Sequence, residues 1–106
     1  MRRALVLLNK VVAGTLMETD DKRYVFQYDE SFLADTTNRS ISLAFPKRKE
    51  EYVSEELFPF FFNMLSEGAN KVLQCQSLKI DENDSFGLLL ATAKYDSIGA
   101  ITIEEL

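Results

Sequence analysis

The stretch "ALVLLNKVVAGTLME", residues 4–18, sets the first elements of the fold. Ala4–Leu8 is a short apolar run rich in strand-forming residues, and the same character resumes at residues 11–18. The two residues between the runs, Asn9 and Lys10, are of the number and type that connect the strands of a β-hairpin. Gly14, inside the second run, predicts a β-bulge or a close approach of neighbouring backbone. The stretch therefore predicts an antiparallel hairpin.

A third strand extends this hairpin into a meander. The segment "YVFQY", residues 24–28, follows a polar turn at residues 20–22. Period-two alternation places its three aromatic side chains on one face; they are Tyr24, Phe26 and Tyr28. Asp29 then has the type and position of an N-cap for one helical turn in "YDESFLAD".

Two later strands complete the predicted sheet. The segment "SISLAF", residues 40–45, has the most regular alternation in the chain, with Ile41, Leu43 and Phe45 on a shared face. Pro46 ends this predicted strand because proline has no N–H to donate to a ladder. A last short strand is predicted from Ala100 to Ile103.

Short helices are predicted between these strands. In "LFPFFFNML", residues 57–65, Pro59 suits the first helical position, since inside a helix its ring would oppose a carbonyl four residues earlier. Gly68 is predicted to close this helix. Further helices are predicted at 69–78 and 83–93, the latter capped by Asp84 or Ser85. The expected fold is a single α+β domain over residues 1–106, in which a small antiparallel sheet packs with two to three short helices.

The composition removes most catalytic chemistries. The 106 residues include no histidine, so Ser-His and Cys-His nucleophiles and the usual zinc sites are excluded. Cys75 has no partner base and is interpreted as a small buried thiol. None of the four glycines forms a phosphate-binding loop, and "DEND", residues 81–84, lacks the spacing of a calcium loop. We expect no enzyme activity, no cofactor and no metal.

The charge and hydropathy patterns also exclude several partners. A net charge of −5 opposes binding to a phosphate backbone, and "KRKEE", residues 47–51, is interpreted as a solvated loop. No apolar run approaches the roughly 20 residues that span a bilayer. The run that follows the two N-terminal arginines ends at Asn9 without a cleavage site, so no signal peptide is expected. A lone cysteine fits the reducing cytoplasm, where we expect the protein.

The stretch at residues 57–65 carries more apolar surface than one helix face needs. Seven of its nine side chains are large and apolar, and on a helical wheel they fill an arc of roughly 200°. An ordinary surface helix shows an apolar stripe a little over 100° wide. Either the helix is covered on both sides within the domain, or one edge is exposed and binds a partner. The pattern alone favours the internal explanation.

Four segments, in sequence order, resemble the N-terminal subdomain of HipA-type serine/threonine kinases. "NMLSEG", residues 63–68, is similar to that family's "NLLPEG" element. "FQYDESFL" precedes it, "SISLAFP" resembles the family's Ser/Leu-rich strand, and "YDSIGAITI" resembles its closing "GRDCAGAV"-like segment. Ser66 stands where the family has proline, and Lys94-Tyr95 replace a Gly-Arg pair. The resemblance implies structural roles at the matching positions, which are Asn63, Leu65, Glu67, Gly68, Asp96, Gly99 and Ala100.

The resemblance also implies a function. In full-length members a kinase core follows this subdomain, and the residues up to Leu106 contain no such core. The chain resembles the stand-alone HipS-like component of split systems, which implies an antitoxin that binds a separately encoded HipA-like kinase and restrains it. This favours an exposed helix edge. The expected contact residues are Tyr52, Phe58, Phe60, Phe62 and Tyr95.

Two other roles remain open at this point. One is an assembly module that links the kinase to a helix-turn-helix, HipB-like repressor without inhibiting either. The other is self-association through the aromatic face. Under each of them the protein makes no direct contact with nucleic acid or membrane.

Overall fold

The structure, a computed structural model, describes residues 2–65, 68–92 and 101–106. Within these residues it is an α+β fold, in which a five-stranded antiparallel sheet packs with four short helices. The strands are β1 (Arg2–Leu8), β2 (Val11–Glu18), β3 (Tyr24–Tyr28), β4 (Tyr52–Ser54) and β5 (Ile101–Glu105), and the helices are α1 (Glu30–Ala34), α2 (Pro59–Phe62), α3 (Gly68–Leu78) and α4 (Ser85–Thr92). The sheet order is β4-β3-β2-β1-β5. The predicted meander and fold class are confirmed.

The first hairpin has the turn and the irregularity that its sequence predicts. Asn9 and Lys10 have φ angles of 51° and 68°, as a two-residue turn that matches strand twist requires. The register changes from Val6 opposite Gly14 to Leu7 opposite Val12, so β2 contains a bulge. A Cβ on Gly14 would lie 2.4 Å from the Gln27 carbonyl oxygen. Gly14 therefore lies beside a bulge and also permits a close backbone approach.

The prediction of a strand at residues 40–45 is wrong. This segment is a loop in which the Phe45 N–H donates to the Ser42 carbonyl at 3.0 Å and the Ala44 N–H donates to Ser42 Oγ at 3.1 Å. Serine side chains offer the backbone such turns in place of a ladder. The place beside β3 is taken by β4, through the pair Val25 and Val53. The turn leaves Leu43 97% exposed, although Ile41 and Phe45 are buried.

The hydrophobic core lies between one face of the sheet and the helices. Phe26 on β3 is fully buried, and its ring contacts the rings of Tyr28 and Phe45 at centroid distances of 5.0 Å. The Tyr28 hydroxyl accepts a hydrogen bond from the Ile41 N–H at 3.1 Å and donates one to the Phe45 carbonyl. Burial raises the pKa of Tyr28. The loop after α1 is therefore attached to the core at two points.

An ion cluster joins α4 to the sheet. The Arg2 guanidinium donates to Glu18 at 2.7 and 3.0 Å and to both carboxylate oxygens of Asp84, also at 2.7 and 3.0 Å. Glu18 accepts a further bond from the Tyr24 hydroxyl at 3.0 Å. Asp84 also accepts from the Gly87 N–H at 3.0 Å, so it is the predicted N-cap of α4. Arg2 of β1 thus links β2, through Glu18, to the N-cap of α4.

The predicted starts of α1 and α2 are confirmed, whereas the predicted end of α2 is wrong. Asp29 caps α1, and Pro59 is the first residue of α2. However, α2 ends at Phe62, and Gly68 begins α3 instead of closing α2. In the described part of the chain, no helix has the length and apolar character needed to cross a bilayer.

Candidate functional site

The candidate site is the short aromatic segment around α2, where local hydrogen bonding directs the phenylalanines to different sides. The Phe58 carbonyl accepts bonds from the N–H groups of Phe61 and Phe62, both at 2.9 Å. Beyond Phe62 the bonds tighten, with the Met64 N–H donating to Phe61 at 3.1 Å and the Leu65 N–H donating to Phe62 at 3.0 Å. Bonds to the third preceding residue belong to a tighter turn than an α-helix. A single helical wheel therefore does not describe residues 57–65.

Part of this segment is core. Phe61 is fully buried and Phe58 is 9% exposed. Both rings contact Phe45 from the loop, at centroid distances of 5.7 and 5.2 Å. Little of the Phe58 ring is available to a partner, although the sequence places it among the expected contacts. The internal explanation holds for this part of the segment.

Phe60 and Tyr52 lie at the boundary of the core. Both are partly buried and pack against it. The Phe60 ring meets Phe61 edge-on at 5.2 Å, and the Tyr52 ring meets Phe45 edge-on at 5.0 Å. The Arg48 guanidinium lies 3.7 Å from the centre of the Tyr52 ring. Each ring is thus partly packed and partly accessible, and Arg48 covers one face of the Tyr52 ring.

Phe62 is the phenylalanine of α2 that faces outward. Its side chain is 42% exposed, and the Lys71 ammonium from α3 lies 5.9 Å from the ring centre. Such an ammonium is attracted to the face of an aromatic ring, which limits the orientations of both side chains. Most of the apolar side chains of the segment therefore lie in the core, and Phe62 lies on the surface.

A cleft of about 470 Å³ lies beside Phe62. Its walls combine apolar rings with charged and amide groups from four separate parts of the chain. The lining residues are Lys22, Tyr24, Glu55, Glu56, Leu57, Pro59, Phe62, Asn63, Asn83 and Ser85. Burial, with the hydrogen bond to Glu18 adding to it, raises the pKa of Tyr24. A mixed cleft with an aromatic ring at its edge suits a side chain or short segment of another protein.

The titratable groups around the cleft are few and lie mostly at its surface. Within the described ranges, no three His, Cys, Asp or Glu side chains are grouped so that they could hold a metal ion. Cys75 is 3% exposed. The acidic residues of the cleft, Glu55 and Glu56, are both exposed. Nothing in the described part of this cleft provides a paired acid and base.

Three of the positions matched to the family motif lie within the described residues. The Asn63 N–H closes α2 through a 2.9 Å bond to the Pro59 carbonyl. Leu65 is buried in the core at 8% exposure. Gly68 is the first residue of α3. Tyr95 and four motif positions lie outside the described residues; the four are Glu67, Asp96, Gly99 and Ala100.

Of the contact residues predicted from the sequence and described by the structure, Phe62 alone lines the cleft. Lys22 lies in the turn before β3, and Asn83 lies in the turn before α4. About 60 residues of sequence separate them, so no local spacing or periodicity connects the two positions. Pro59 was the one local signal, because it indicated where the aromatic helix begins.

Comparison with known proteins agrees with this fold. The chain is 31% identical over 105 residues to an uncharacterized protein of Haemophilus influenzae, covering 99% of this chain and 93% of that protein. It is 33% identical over 64 residues to "Putative kinase Y4mE" of Sinorhizobium fredii, where the match covers 60% of this chain and 15% of that protein.

A solved structure and a family model extend the match to the whole fold. The structure of the N-terminal domain of HipA toxin superposes with a TM-score of 0.74 at 25% identity, covering 100% of this chain and 93% of that one. The model of the HipA N-terminal domain matches residues 4–104, which reach from β1 into β5. This match includes the aromatic segment and the sheet on which it packs, and the chain belongs to the HipA N-terminal domain family.

Proposed function

We propose that this protein is a non-catalytic antitoxin subunit that binds a HipA-type kinase core in trans and restrains its activity. The observation that carries the proposal is the exposure of Phe62, an aromatic side chain that is 42% exposed beside a 470 Å³ cleft. The family to which the chain belongs takes its name from the HipA toxin. Exposed aromatic side chains beside a pocket are frequent hot spots of protein interfaces.

The lengths of the relatives support a partner in trans. The matched region is 15% of the Sinorhizobium protein, so there the domain is one part of a longer chain. In the Haemophilus protein the matched region is 93% of the whole, so there the domain makes up nearly the entire chain. A domain of this kind that functions apart from a kinase core needs a surface that recognises that core.

The proposed contact surface is Phe62 with the accessible parts of Phe60 and Tyr52, and Phe58 supports it from the core. Tyr95 stays a predicted contact. Inhibition would be steric, because a domain held against the nucleotide-binding lobe prevents the two kinase lobes from closing. Free Cys75 fits the reducing cytoplasm, where we place the complex.

The test is Phe62→Ala, with binding to the HipA-type kinase core of the same genome measured by calorimetry. Truncating a hot-spot aromatic commonly costs about 2 kcal/mol, so we expect roughly a thirtyfold loss of affinity. The fold should remain intact because the ring is largely outside the core. Val53→Ala is the matched control, since Val53 is 59% exposed but alternates to the opposite face from Tyr52.

A phosphorylation assay with and without the protein then distinguishes restraint from assembly. Reduced kinase activity on binding supports the antitoxin role. Binding with unchanged activity would reject that role and favour the assembly module. No binding by the unaltered protein would reject both.

A further inference from the structure

The most exposed large apolar side chain in the described residues is Leu43, in the loop between α1 and β4. Its side chain is 97% exposed, whereas Ile41 and Phe45 on either side are 8% and 3% exposed. Single exposed apolar residues are common on protein surfaces, so exposure alone carries no argument. A contact role for Leu43 is instead supported by the hydrogen-bonded backbone around it and by the charge of the neighbouring residues.

The backbone that presents Leu43 is fixed on both sides. The Tyr28 hydroxyl bonds to the Ile41 N–H and to the Phe45 carbonyl, and it is buried. Between these points Ser42 accepts two backbone N–H groups, at 3.0 and 3.1 Å. A side chain held in position before binding loses less conformational entropy when a partner covers it.

The same loop concentrates positive charge in an acidic protein. Residues 36–49, here called the leucine loop, contain four basic residues and none of the 17 acidic residues of the chain; the basic residues are Arg39, Lys47, Arg48 and Lys49. Lys47 Nζ is held by the carbonyls of Asp35 and Asn38 at 3.2 and 2.8 Å. Arg48 is held over the Tyr52 ring. The leucine is therefore flanked by cations, two of which have fixed positions.

The leucine loop is connected to the candidate site through the core, where Phe45 is 3% exposed. Phe45, two residues after Leu43, contacts the Phe60 ring at 6.1 Å and the Tyr52 ring at 5.0 Å. Arg48 extends the same surface through its contact with Tyr52.

We propose that the leucine loop is a second docking element, which inserts Leu43 into an apolar pocket on the HipA-type kinase core whose rim carries Asp and Glu carboxylates. The identity of the partner rests on the proposed function, and the chemistry of the pocket rests on the loop. The Arg48 guanidinium donates to the carbonyls of Glu50 and Glu51 at 3.3 and 3.0 Å, which fixes its position, and its positive charge attracts a carboxylate at the rim of the pocket. Complementary charge at the rim of an interface accelerates association and sets its orientation.

A protein pocket fits the loop better than an anionic membrane does. The whole chain has a net charge of −5, which opposes adsorption to an anionic surface. Stable membrane attachment generally requires more buried apolar surface than one leucine provides.

The experiment measures binding of three variants to the kinase core of the same genome. Leu43→Ala should weaken binding about tenfold, mainly through faster dissociation. Arg48→Glu combined with Lys49→Glu should slow association and reduce its dependence on salt concentration. Val53→Ala is the control and should bind as the unaltered protein does. Thermal unfolding of each variant verifies that the fold is retained.

The outcomes separate this proposal from the proposed function. Unchanged affinity for Leu43→Ala, together with weakened affinity for Phe62→Ala, would overturn the docking element and leave the proposed function standing. No binding by the unaltered protein would overturn both. Sedimentation of the protein with phosphatidylglycerol vesicles, lost in Leu43→Ala, would overturn the protein pocket in favour of a membrane surface.

Discussion

Arg2 and Asp84 show how much one residue pair contributes to this fold. They are 82 positions apart in sequence and form two hydrogen bonds, at 2.7 and 3.0 Å. The Arg2 guanidinium, more than any other neighbour, lowers the pKa of Asp84 below its usual 3.8. A carboxyl group whose pKa is lowered by folding stabilises the protein above its unfolded-state pKa, and this contribution disappears as the pH falls through the folded-state pKa.

Asp84→Asn should therefore destabilise the protein near neutral pH and progressively less below pH 3.8. Asparagine is an equally good N-cap, so the difference isolates the charge. Urea unfolding over a pH series measures the difference in free energy of unfolding between the variant and the unaltered protein. In an Arg2→Gln background the same substitution should show little pH dependence. A difference that is constant with pH would contradict this account of the ion pair.

At the scale of elements, the loop at residues 40–45 illustrates tertiary structure overriding a local pattern. A strand would give Leu43 and Phe45 the same environment, because residues two apart share a face. In the structure Leu43 is 97% exposed, and Phe45 is 3% exposed among five aromatic rings. The two positions therefore differ in what they contribute to stability.

Phe45→Ala should lower the free energy of unfolding by about 3 to 5 kcal/mol, the usual cost of removing a buried phenylalanine. Leu43→Ala should change it by less than about 0.5 kcal/mol, as is usual at an exposed position. Denaturant unfolding of both variants gives the two values. Similar losses at the two positions would show that the segment is a strand after all.

At the scale of the whole molecule, the sheet depends on joining the two ends of the chain. β1 lies between β2 and β5, and Val6 pairs with Ile103. Ile101 and Ile103 are 2% and 0% exposed, so β5 closes the core. A fold whose first strand pairs with β5, about 100 residues later in the sequence, cannot complete its core until β5 is available.

Removing residues 101–106 should therefore abolish the cooperative unfolding transition. The deletion removes two buried isoleucines, whose burial is worth roughly 1.5 to 3 kcal/mol each, and leaves one edge of β1 unpaired, against a total stability of about 5 to 15 kcal/mol for an ordinary domain. Thermal unfolding followed by circular dichroism is the measurement. Leu106→Ala is the control, since that side chain is 63% exposed and the substitution keeps the 3.0 Å bond from the Leu106 N–H to the Arg3 carbonyl. A cooperative transition in the deletion variant would contradict the closing role of β5.

The structural features that the sequence predicts correctly are those determined by residues close to one another in the chain. Asn9-Lys10 specifies the hairpin turn, Asp29 and Asp84 cap helices, and Pro59 begins one, because each acts on backbone within about four residues. The order of the family segments likewise indicates the HipA N-terminal domain.

Long-range contacts decide the remaining features. Whether residues 40–45 pair with β3 depends on Tyr52–Ser54, which occupies that edge, and on Tyr28, whose hydroxyl holds the loop away from the ladder. Which phenylalanine of α2 faces outward depends on where α2 ends and on the ring of Phe45 packed behind it. Side-chain burial depends on neighbours that folding brings together. The sequence pattern therefore predicts that the aromatic segment has more apolar surface than one helix face needs. Only the packing determines that Phe62 is the side chain left exposed.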